Sequence, residues 1–514
     1  MENEKKPIKT MLSKRGYIIV KKHYKPQFIE YIKKECTVAP RVMQGYGNDD
    51  DISFKIFQEN TKKLYIPKHL GIEKCGKPML NKVPEGDDIN CKFVFDLFEY
   101  QKKPAETILK KYKSQGGGIL SVRCGFGKTI MALYFVCQLK KKTLVIVHKE
   151  FLMNQWKDSI LGNKDKGISP CIDKARVGII QGKEFDIEDK DIVIAMVNTL
   201  WKKPFPLDAF DSFGHVIIDE CHMISSKKFS RSLMKVNSKY MLAVSATPTR
   251  ADGLTKVLKY YVGDIIFRGK AKYDSNVLVE RLIFKSTNKY YKKEETNYRG
   301  QALTSTMINN ICDFYKRTKV LVNRMVEKLE DSDLNERRQI LVLSDRKDHL
   351  KDMHNYITKN NLASVGYYIG GMKEHELNES ETKDIILGTY PMAKEGLNIP
   401  SLNCLVLASP KRNIIQSVGR ILRKKHEGIH AVIIDGVDTF SVFKSQAAHR
   451  NKLYKTRGYC VKDIRFDIEN NEIIRETECD YSQNKKKGNK SDSKFKSTKI
   501  KGFMFTNKSK KLIE

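Results

Sequence analysis

Apolar runs rich in β-branched residues recur along the chain and alternate with stretches of helical patterning. Strands that are apolar throughout are buried on both faces, as in a parallel sheet covered by helices. The first set of runs spans residues 117–122, 143–147, 192–197, 215–219 and 240–246. The second set spans residues 339–344, 365–370, 384–389, 404–409 and 431–435. This pattern predicts an α/β protein with two tandem parallel-sheet domains, at residues 93–270 and 303–473.

Other segments flank the two predicted domains. A chain of 514 residues exceeds what one hydrophobic core usually organises. Residues 1–92 predict a small α+β accessory domain, which we expect to help select a substrate or a partner. Residues 271–302 are rich in charge and tyrosine and are predicted to form a linker or an excursion from the sheet. Residues 474–514 are polar and lysine-dense, which predicts a disordered basic tail.

The charge of the chain indicates a polyanionic partner. It carries 95 Lys and Arg residues against 61 Asp and Glu residues, a formal net charge of +34. Such a field attracts nucleic acid above all. A proteome rich in lysine would give a similar composition, so charge alone leaves both interpretations open.

Cysteine spacing and hydropathy indicate the compartment. The 11 cysteines are scattered without a CxxC pair, which argues against a zinc ribbon or finger. An odd number of thiols suits a reducing compartment. No apolar window reaches the length of a membrane span, so we predict a soluble intracellular protein without a membrane partner.

A glycine-bearing loop follows the first apolar run of the first domain and precedes a helical pattern. Such a loop wraps phosphates in backbone N–H groups, while Lys128 reaches the outer phosphates and Thr129 holds Mg²⁺. The full-length version of the pattern would have glycine at Val122, which is absent here. The predicted nucleotide-binding residues of the loop are Cys124, Gly125, Phe126, Gly127, Lys128 and Thr129.

Two acidic residues end another run of the same domain, in the sequence IIDECH. A strand ending in two acids can place one on a metal and the other on an attacking water, so Asp219 is predicted to hold Mg²⁺ and Glu220 to act as general base. The alternative is a strand end that caps the next segment. His222 lacks ligand partners at zinc spacing and is interpreted as a polar link across the cleft.

The sequence QSVGRILR lies in the second domain and carries two arginines three residues apart. That spacing puts Arg420 and Arg423 on one helical face, where they can neutralise charge developing on a transferring phosphoryl group. The alternative is a solvated basic face that continues into Lys424 and Lys425. We expect an NTPase whose site closes between the two domains.

These motifs occur in a known order together with LFEYQ, HKEFLMNQW, VIAMVNTL, SATPTRADG, ILVLSDR and ILGTYPMAKEGLNIP. The set resembles that of the superfamily 2 helicases over about residues 93–459. It looks most like the transcription-and-repair branch of the xeroderma-pigmentosum B type and the helicases of large cytoplasmic DNA viruses, including the poxvirus transcript-release helicase. The resemblance implies two RecA-like domains, ATP with Mg²⁺, nucleic acid and transcription machinery as partners, and a place in a viral factory, the host cytoplasm or the virion.

The resemblance also implies roles for individual residues. Gln101 would read the adenine edge, and Gln416 would be oriented near the γ-phosphate beside Arg420 and Arg423. Nucleotide state would be coupled to the strand through His222, Ser245 and Thr247. The expected strand contacts are His148, Lys149, Asn154, Thr199 and Thr389. The family more often has Asp where this chain has Asn398. Trp156 and Trp201 can stack on bases or pack in the core, and core packing is the more common fate of tryptophan.

The predicted function is that of an ATP-dependent nucleic acid helicase or translocase, which couples hydrolysis to strand separation or translocation. Duplex DNA is the favoured substrate, with a 3′ to 5′ polarity implied by the resembling branch, in viral transcription or repair. Two alternatives stay open. The first is an ATP-dependent RNA helicase, and the second is a non-unwinding ATPase that releases a transcript or displaces a bound protein.

Overall fold

The computed structural model describes residues 8–40, 53–123, 125–221, 227–246, 248–249, 252–269, 276–330, 337–395, 397, 399–422 and 429–480. The chain forms two compact units, Met1–Lys270 and Ala271–Glu514. Among the described helices, none combines the length and the apolar character that a membrane crossing requires.

The first unit contains a five-stranded sheet, an eight-stranded sheet, two short strand pairs and the helices around them. Its strands are β1 Thr10–Ser13, β2 Gly16–Val20, β3 Thr37–Val38, β4 Phe54–Lys55, β5 Gln58–Glu59, β6 Lys63–Ile66, β7 Leu80–Lys82, β8 Lys92–Phe93, β9 Gly117–Ser121, β10 Thr143–Val147, β11 Ile172–Asp173, β12 Val177–Gln181, β13 Glu184–Phe185, β14 Ile192–Met196, β15 His215–Asp219, β16 Tyr240–Ser245 and β17 Ile265–Arg268. Its helices are α1 Pro26–Glu35, α2 Lys68–Cys75, α3 Glu99–Gln115, α4 Lys128–Leu139, α5 Glu150–Leu161, α6 Val197–Lys202, α7 Lys227–Leu233 and α8 Thr255–Val262, with a 3-10 turn at Lys21–His23.

The eight-stranded sheet runs in the order β13-β12-β14-β10-β15-β16-β9-β17, and its strands are parallel except for the edge strand β13. Successive residues of one strand enter opposite cores: Leu144 packs on one face of the sheet and Val145 on the other. Every apolar run predicted in the first domain is one of these strands. The parallel sheet buried on both faces is therefore confirmed.

The N-terminal sheet, in the order β5-β6-β2-β1-β7, shares a hydrophobic core with one face of the large sheet. Tyr17 and Leu64 belong to the same buried cluster as Leu144 and Val216. Short strands cannot bury their apolar face alone, and the large sheet supplies the missing surface. This region is thus packed into the first unit.

The second unit is built on one eight-stranded sheet. Its strands are β18 Val277–Lys285, β19 Ile340–Ser344, β20 Val365–Tyr368, β21 Ile385–Thr389, β22 Cys404–Leu407, β23 Ala431–Asp438, β24 Cys460–Asp467 and β25 Glu472–Asp480. Its helices are α9 Thr304–Asp313, α10 Tyr315–Glu330, α11 Lys347–Lys359, α12 Glu374–Ser380, α13 Tyr390–Glu395, α14 Ile415–Ile421 and α15 Ser441–Arg457.

The second sheet runs in the order β20-β21-β19-β22-β23-β18-β24-β25, parallel except for β25. It differs from the sequence expectation at two places. Strand β18 lies inside residues 271–302, the expected linker, yet it pairs with both β23 and β24. Strand β25 extends to Asp480, into the expected tail, and pairs with β24. Residues 481–514 of that tail lie outside the described residues.

Candidate functional site

The glycine-bearing loop joins β9 to α4. β9 ends at Ser121 and α4 begins at Lys128, so the first turn of the helix, where N–H groups have no partner within the helix, follows the end of the strand. Gly127 has a φ of +85°, and a Cβ at this position would lie 2.5 Å from Nε2 of Gln101. Only glycine fits here, because any other residue would meet both a left-handed backbone and a steric clash.

Gln101, near the start of α3, is hydrogen-bonded to this loop. Its Nε2 donates a 2.7 Å hydrogen bond to the carbonyl of Phe126, and its Oε1 accepts from the backbone N–H of Phe98 at 3.0 Å. The side chain is buried. The structure therefore places the glutamine against the phosphate loop, in contact with its backbone.

An exposed aromatic group that sequence reasoning missed lies beside the same loop. The rings of Phe98 and Tyr100 stack at 5.5 Å, and Tyr100 meets Phe126 edge-on at 5.1 Å. Phe98 is 64% exposed and Tyr100 is 48% exposed. Both residues precede Gln101 within the LFEYQ sequence, so the aromatic pair is close to the glutamine in sequence as well as in space.

The two acids at the end of β15 lie in different environments. Asp219 is buried, and its Oδ2 accepts a 2.9 Å hydrogen bond from the indole Nε1 of Trp156, while its Oδ1 accepts from the backbone N–H of Glu220 at 2.9 Å. Glu220 places Oε1 2.8 Å from Nζ of Lys128, and its Oε2 accepts from the Ser245 hydroxyl at 3.3 Å. Each acid is thus held by its own partners.

Electrostatics separate these two acids further. Burial raises the pKa of the Asp219 carboxyl above its ordinary value, and the nearby charge of Glu220 raises it more. The Glu220 backbone has a φ of +45°, a left-handed conformation that costs a non-glycine residue about 1–3 kcal/mol and is typical of functional sites. No sequence pattern predicted this conformation.

Parallel pairing explains why residues distant in sequence meet at one edge of the first sheet. β15 lies between β10 and β16, and Ser245 at the end of β16 is in register with Ser121 at the end of β9. All these carboxyl ends face the same way, which is where open α/β sheets bind ligands. The glycine-bearing loop, both acids and Ser245 therefore share this edge.

The expected strand contacts of the first unit follow neighbouring strands at the same edge. His148 comes after β10 and is buried, and Lys149 precedes α5, with its Nζ 6.0 Å from the centre of the Phe151 ring. Asn154 is exposed on α5. Thr199 is buried on α6, where its hydroxyl oxygen accepts from the Gly182 backbone N–H at 3.1 Å.

The second unit contains the remaining described candidates. Thr389 ends β21 and is partly buried. Gln416 and Arg420 lie on α14, and both are buried. Arg420 donates from Nη1 to the carbonyl of Leu397 at 2.7 Å, which ties α14 to the segment that follows α13.

Some predicted positions lie outside the described residues: Cys124, His222, Thr247, Asn398 and Arg423. Trp156, for which both base stacking and core packing were open, is buried in the core with its N–H on Asp219. Core packing is therefore the observed outcome.

Two family models match the chain. The model described as "Type III restriction enzyme, res subunit" matches residues 94–250, and the model described as "Helicase conserved C-terminal domain" matches residues 320–425. These two segments contain the acids of β15 and the residues of α14, respectively.

Curated relatives extend the similarity over most of the chain. "Putative ATP-dependent RNA helicase L396" of Acanthamoeba polyphaga mimivirus is 35% identical and covers 88% of this chain and 87% of its own. "Putative ATP-dependent RNA helicase QP509L" of African swine fever virus is 26% identical over 74% of this chain and 77% of its own. "DNA 3'-5' translocase XPB2" of Sulfurisphaera tokodaii is 26% identical over 71% of this chain and 86% of its own. The chain therefore belongs to the superfamily 2 helicases and is an ATP-hydrolysing helicase or translocase with two RecA-like domains.

Proposed function

We propose that Lys128, Asp219 and Glu220 form the hydrolytic centre of this helicase and that the helicase moves along DNA. The observation that carries the first half is the contact of Lys128 Nζ with Glu220 Oε1 at 2.8 Å, next to an Asp219 held by Trp156 at 2.9 Å. One acid is tied to the residue that binds phosphate, and the other is tied to the core. That division matches a mobile proton acceptor beside a fixed metal-binding carboxylate.

The residues at this edge fit Mg²⁺. A carboxylate offers about four acceptor positions, and the hydrogen bonds from Trp156 and from the Glu220 backbone use one on each oxygen of Asp219, which leaves further positions for a metal or its water. The hydroxyl of Thr129 is the second oxygen donor, in the first turn of α4. Mg²⁺ typically uses one or two protein oxygens and completes its shell with water and phosphate, where it neutralises phosphate charge.

Glu220 is the proposed general base. When the ammonium of Lys128 binds the phosphates, Oε1 of Glu220 can accept a proton from the attacking water, while the Ser245 hydroxyl at 3.3 Å holds Oε2. Ser245 ends β16. Its hydrogen bond to Glu220 can therefore transmit a change at the nucleotide to the segment that follows this strand. The proposed coupling residues Thr247 and His222 follow β16 and β15 in sequence.

The proposal assigns charge stabilisation to the second unit, from the motif order of the family. Arg420 and Arg423 would neutralise the transferring phosphoryl group, with Gln416 near the γ-phosphate and Gln101 at the adenine. The hydrogen bond from Arg420 to the Leu397 carbonyl supports a positioned guanidinium. A fixed orientation lowers the entropy lost when such a group meets phosphate.

DNA is proposed as the track on the basis of the motif forms HKEFLMNQW and SATPTRADG and of the relative named a DNA translocase. His148, Lys149, Asn154, Thr199 and Thr389 are the proposed backbone contacts. A viral setting is supported by the mimivirus and African swine fever virus relatives. A partner in the transcription machinery, in an infected cell or a virion, is proposed from the motif resemblance alone.

RNA is the second candidate track, because the mimivirus and African swine fever virus relatives carry RNA helicase in their names. The test compares ATP turnover with single-stranded DNA, single-stranded RNA and no strand, at one stated salt concentration because backbone binding is salt-dependent. Stronger stimulation by DNA, together with unwinding of a forked DNA duplex, is expected. Stimulation by RNA alone would overturn the assignment of DNA.

The hydrolytic assignment has its own variants in the same assay. Glu220→Gln should lower stimulated turnover by about 100-fold or more, because general base catalysis typically contributes about 10²–10⁴. Strand binding should persist. Glu184→Gln, at an exposed glutamate on the edge strand β13, is the matched control and should keep full turnover. Full turnover in Glu220→Gln would contradict the proposal.

A further inference from the structure

A tyrosine-rich turn connects β18 to α9 in the second unit. It comprises residues 286–303, and all but the last of these fall within the predicted linker or excursion at residues 271–302. At its tip, Tyr298 is 88% exposed, more than any other large hydrophobic side chain among the described residues. A tyrosine ring exposed to this degree leaves both of its faces available to a flat ligand, and its hydroxyl can stay in water.

The base of this turn is fixed to the sheet domain. Oε1 of Glu469 accepts from the backbone N–H groups of Thr287 and Asn288 at 3.1 and 3.2 Å. Tyr291 is buried and donates its hydroxyl to Oδ1 of Asp438 at 2.5 Å. These hydrogen bonds thus fix the first residues of the turn, its base, to the second unit.

The tip of the turn is also defined by hydrogen bonds. Oδ1 of Asn297 accepts from the backbone N–H groups of Arg299 and Gln301 at 2.9 and 3.0 Å, and the Asn297 N–H bonds to the Gln301 carbonyl at 2.9 Å. Gly300 has a φ of +72° with open space around it, the left-handed conformation that closes the loop. Tyr298 therefore sits on a preorganised turn, which lowers the entropy lost on binding.

The turn that carries Tyr298 has an excess of positive charge, which favours a polyanionic ligand. The guanidinium carbon of Arg299 lies 5.1 Å from the centre of the Tyr298 ring, within cation–π range. The turn carries Lys289, Lys292, Lys293 and Arg299 against two glutamates, one of which pairs with Lys293 at 2.7 Å. An exposed ring beside cations is the arrangement by which proteins stack on bases while holding the phosphate backbone.

We propose that the Tyr298–Arg299 turn binds a single nucleic acid strand, with the Tyr298 ring stacked on a base and Arg299 near the adjoining phosphate. The site is sequence-tolerant, because every base presents a flat face to an aromatic ring. It lies outside the residues that the two family models match, and it adds a base contact to a motor whose other proposed contacts are with the backbone. This inference rests on the proposed function, in that the strand is the one the helicase tracks.

The test uses the full chain with three substitutions. Tyr298→Ala removes the ring, Tyr298→Phe keeps it, and Tyr290→Ala removes the other exposed tyrosine of the turn, at its base, as the matched control. Oligonucleotides of DNA and of RNA carry the fluorescent base 2-aminopurine, whose emission falls when it stacks on a ring. Binding, fork unwinding and strand-stimulated ATP turnover at saturating strand are measured in parallel.

We expect Tyr298→Ala to bind the strand about tenfold more weakly, since a base–aromatic stack has that order of effect, and to lose the quenching of 2-aminopurine. Fork unwinding should fall by a similar factor, while turnover at saturating strand stays close to that of the unsubstituted chain. Tyr298→Phe and Tyr290→Ala should retain binding and quenching. The strand type that shows the quenching, DNA or RNA, identifies the source of the base.

Equal binding and quenching in Tyr298→Ala, with strand-stimulated turnover intact, would overturn the base contact and leave the proposed function standing. Equal losses in Tyr298→Ala and Tyr290→Ala would overturn its assignment to the tip. An unsubstituted chain that binds no strand and shows no strand-stimulated turnover would contradict both the base contact and the proposed function.

Discussion

At the residue scale, Trp156 holds the carboxylate of Asp219, the proposed metal ligand. Its indole N–H donates to Oδ2 of Asp219 at 2.9 Å, and the side chain is 1% exposed. Trp156→Phe keeps most of the apolar volume but removes this donor. We predict a fall in ATP turnover of about 10- to 100-fold, the usual effect of losing a hydrogen bond to a metal-binding carboxylate. The Mg²⁺ concentration for half-maximal turnover should rise, which a loss of packing alone would not cause.

The control for this prediction is Trp201→Phe, at the other tryptophan of the chain. It should leave the Mg²⁺ dependence unchanged. A Trp156→Phe variant with unchanged turnover and unchanged Mg²⁺ dependence would show that the hydrogen bond has no part in positioning Asp219.

Residue patterns alone predicted the loop before α4 and the acids of β15 as site residues, because those motifs are local and their chemistry needs particular side chains at fixed spacing, and the fold places both at one edge of the first sheet. They could not identify the partner of Asp219, since Trp156 is 63 residues away in sequence. Nor could they give the left-handed backbone of Glu220, which the surrounding contacts impose. The family roles of Gln101, Arg420 and the strand contacts remain predictions.

At the element scale, a fully buried ion pair joins β23 to α10. The base of the tyrosine-rich turn is bonded to the same carboxylate. Asp438 ends β23 and accepts from Nε and Nη2 of Arg317 at 2.8 and 2.9 Å, and both side chains are 0% exposed. Arg317 also donates to the carbonyl of Ala408 at 2.7 Å, and Tyr291 donates to Asp438. Each partner depends on the others, because an unpaired charge in this core would be strongly destabilising.

We predict that Asp438→Asn lowers the free energy of unfolding of the second unit by about 3–5 kcal/mol, because it leaves the Arg317 cation buried without its counter-charge. Urea unfolding of the full chain, followed by a probe in each unit, would measure it. The control is Glu379→Gln, which removes the surface partner of Lys383 and should change stability by less than about 1 kcal/mol. Equal effects of the two substitutions would contradict the buried-pair interpretation.

The elements themselves were mostly predictable, because strands covered on both faces of a parallel sheet carry short continuous apolar runs, and here such runs alternate with helical patterns. Strand β18 was not predicted. Its sequence VLVERLIFK contains Glu280, which is buried and accepts from Arg324 at 2.7 and 2.8 Å. The charge that made this segment resemble a linker is thus neutralised by α10, a contact visible only in the fold.

At the scale of the whole molecule, buried neutral histidines link the stability of both units to pH. Burial lowers the pKa of His69, His215 and His349 to about 3 each, from an ordinary value of 6.5. His215 lies between the Tyr112 hydroxyl at 3.0 Å and the Thr143 hydroxyl at 3.2 Å. His349 lies likewise between hydroxyls of the second unit, Thr318 at 3.0 Å and Ser344 at 3.1 Å. Such uncharged networks have no counter-charge for an imidazolium ion.

A depressed pKa means that the unfolded chain binds protons which the folded chain excludes. The stabilisation is therefore complete above pH 6.5 and is lost as pH falls from 6.5 towards 3. At pH 5.5 each histidine should cost about 1.4 kcal/mol relative to pH 7.5. We predict that both unfolding transitions move to lower urea concentration between pH 7.5 and pH 5.5, a range in which carboxylates of ordinary pKa stay ionised.

His215→Gln separates this linkage from other effects of pH. The substitution removes the titrating group and keeps hydrogen-bonding atoms near Tyr112 and Thr143, so it should weaken the pH dependence of the first unit and leave that of the second unit unchanged. His375→Gln is the control, since the imidazole of His375 is exposed, and it should alter neither slope. If the first unit of His215→Gln still lost stability between pH 7.5 and pH 5.5 as steeply as the unsubstituted chain, proton exclusion by this histidine would not be a source of its acid sensitivity.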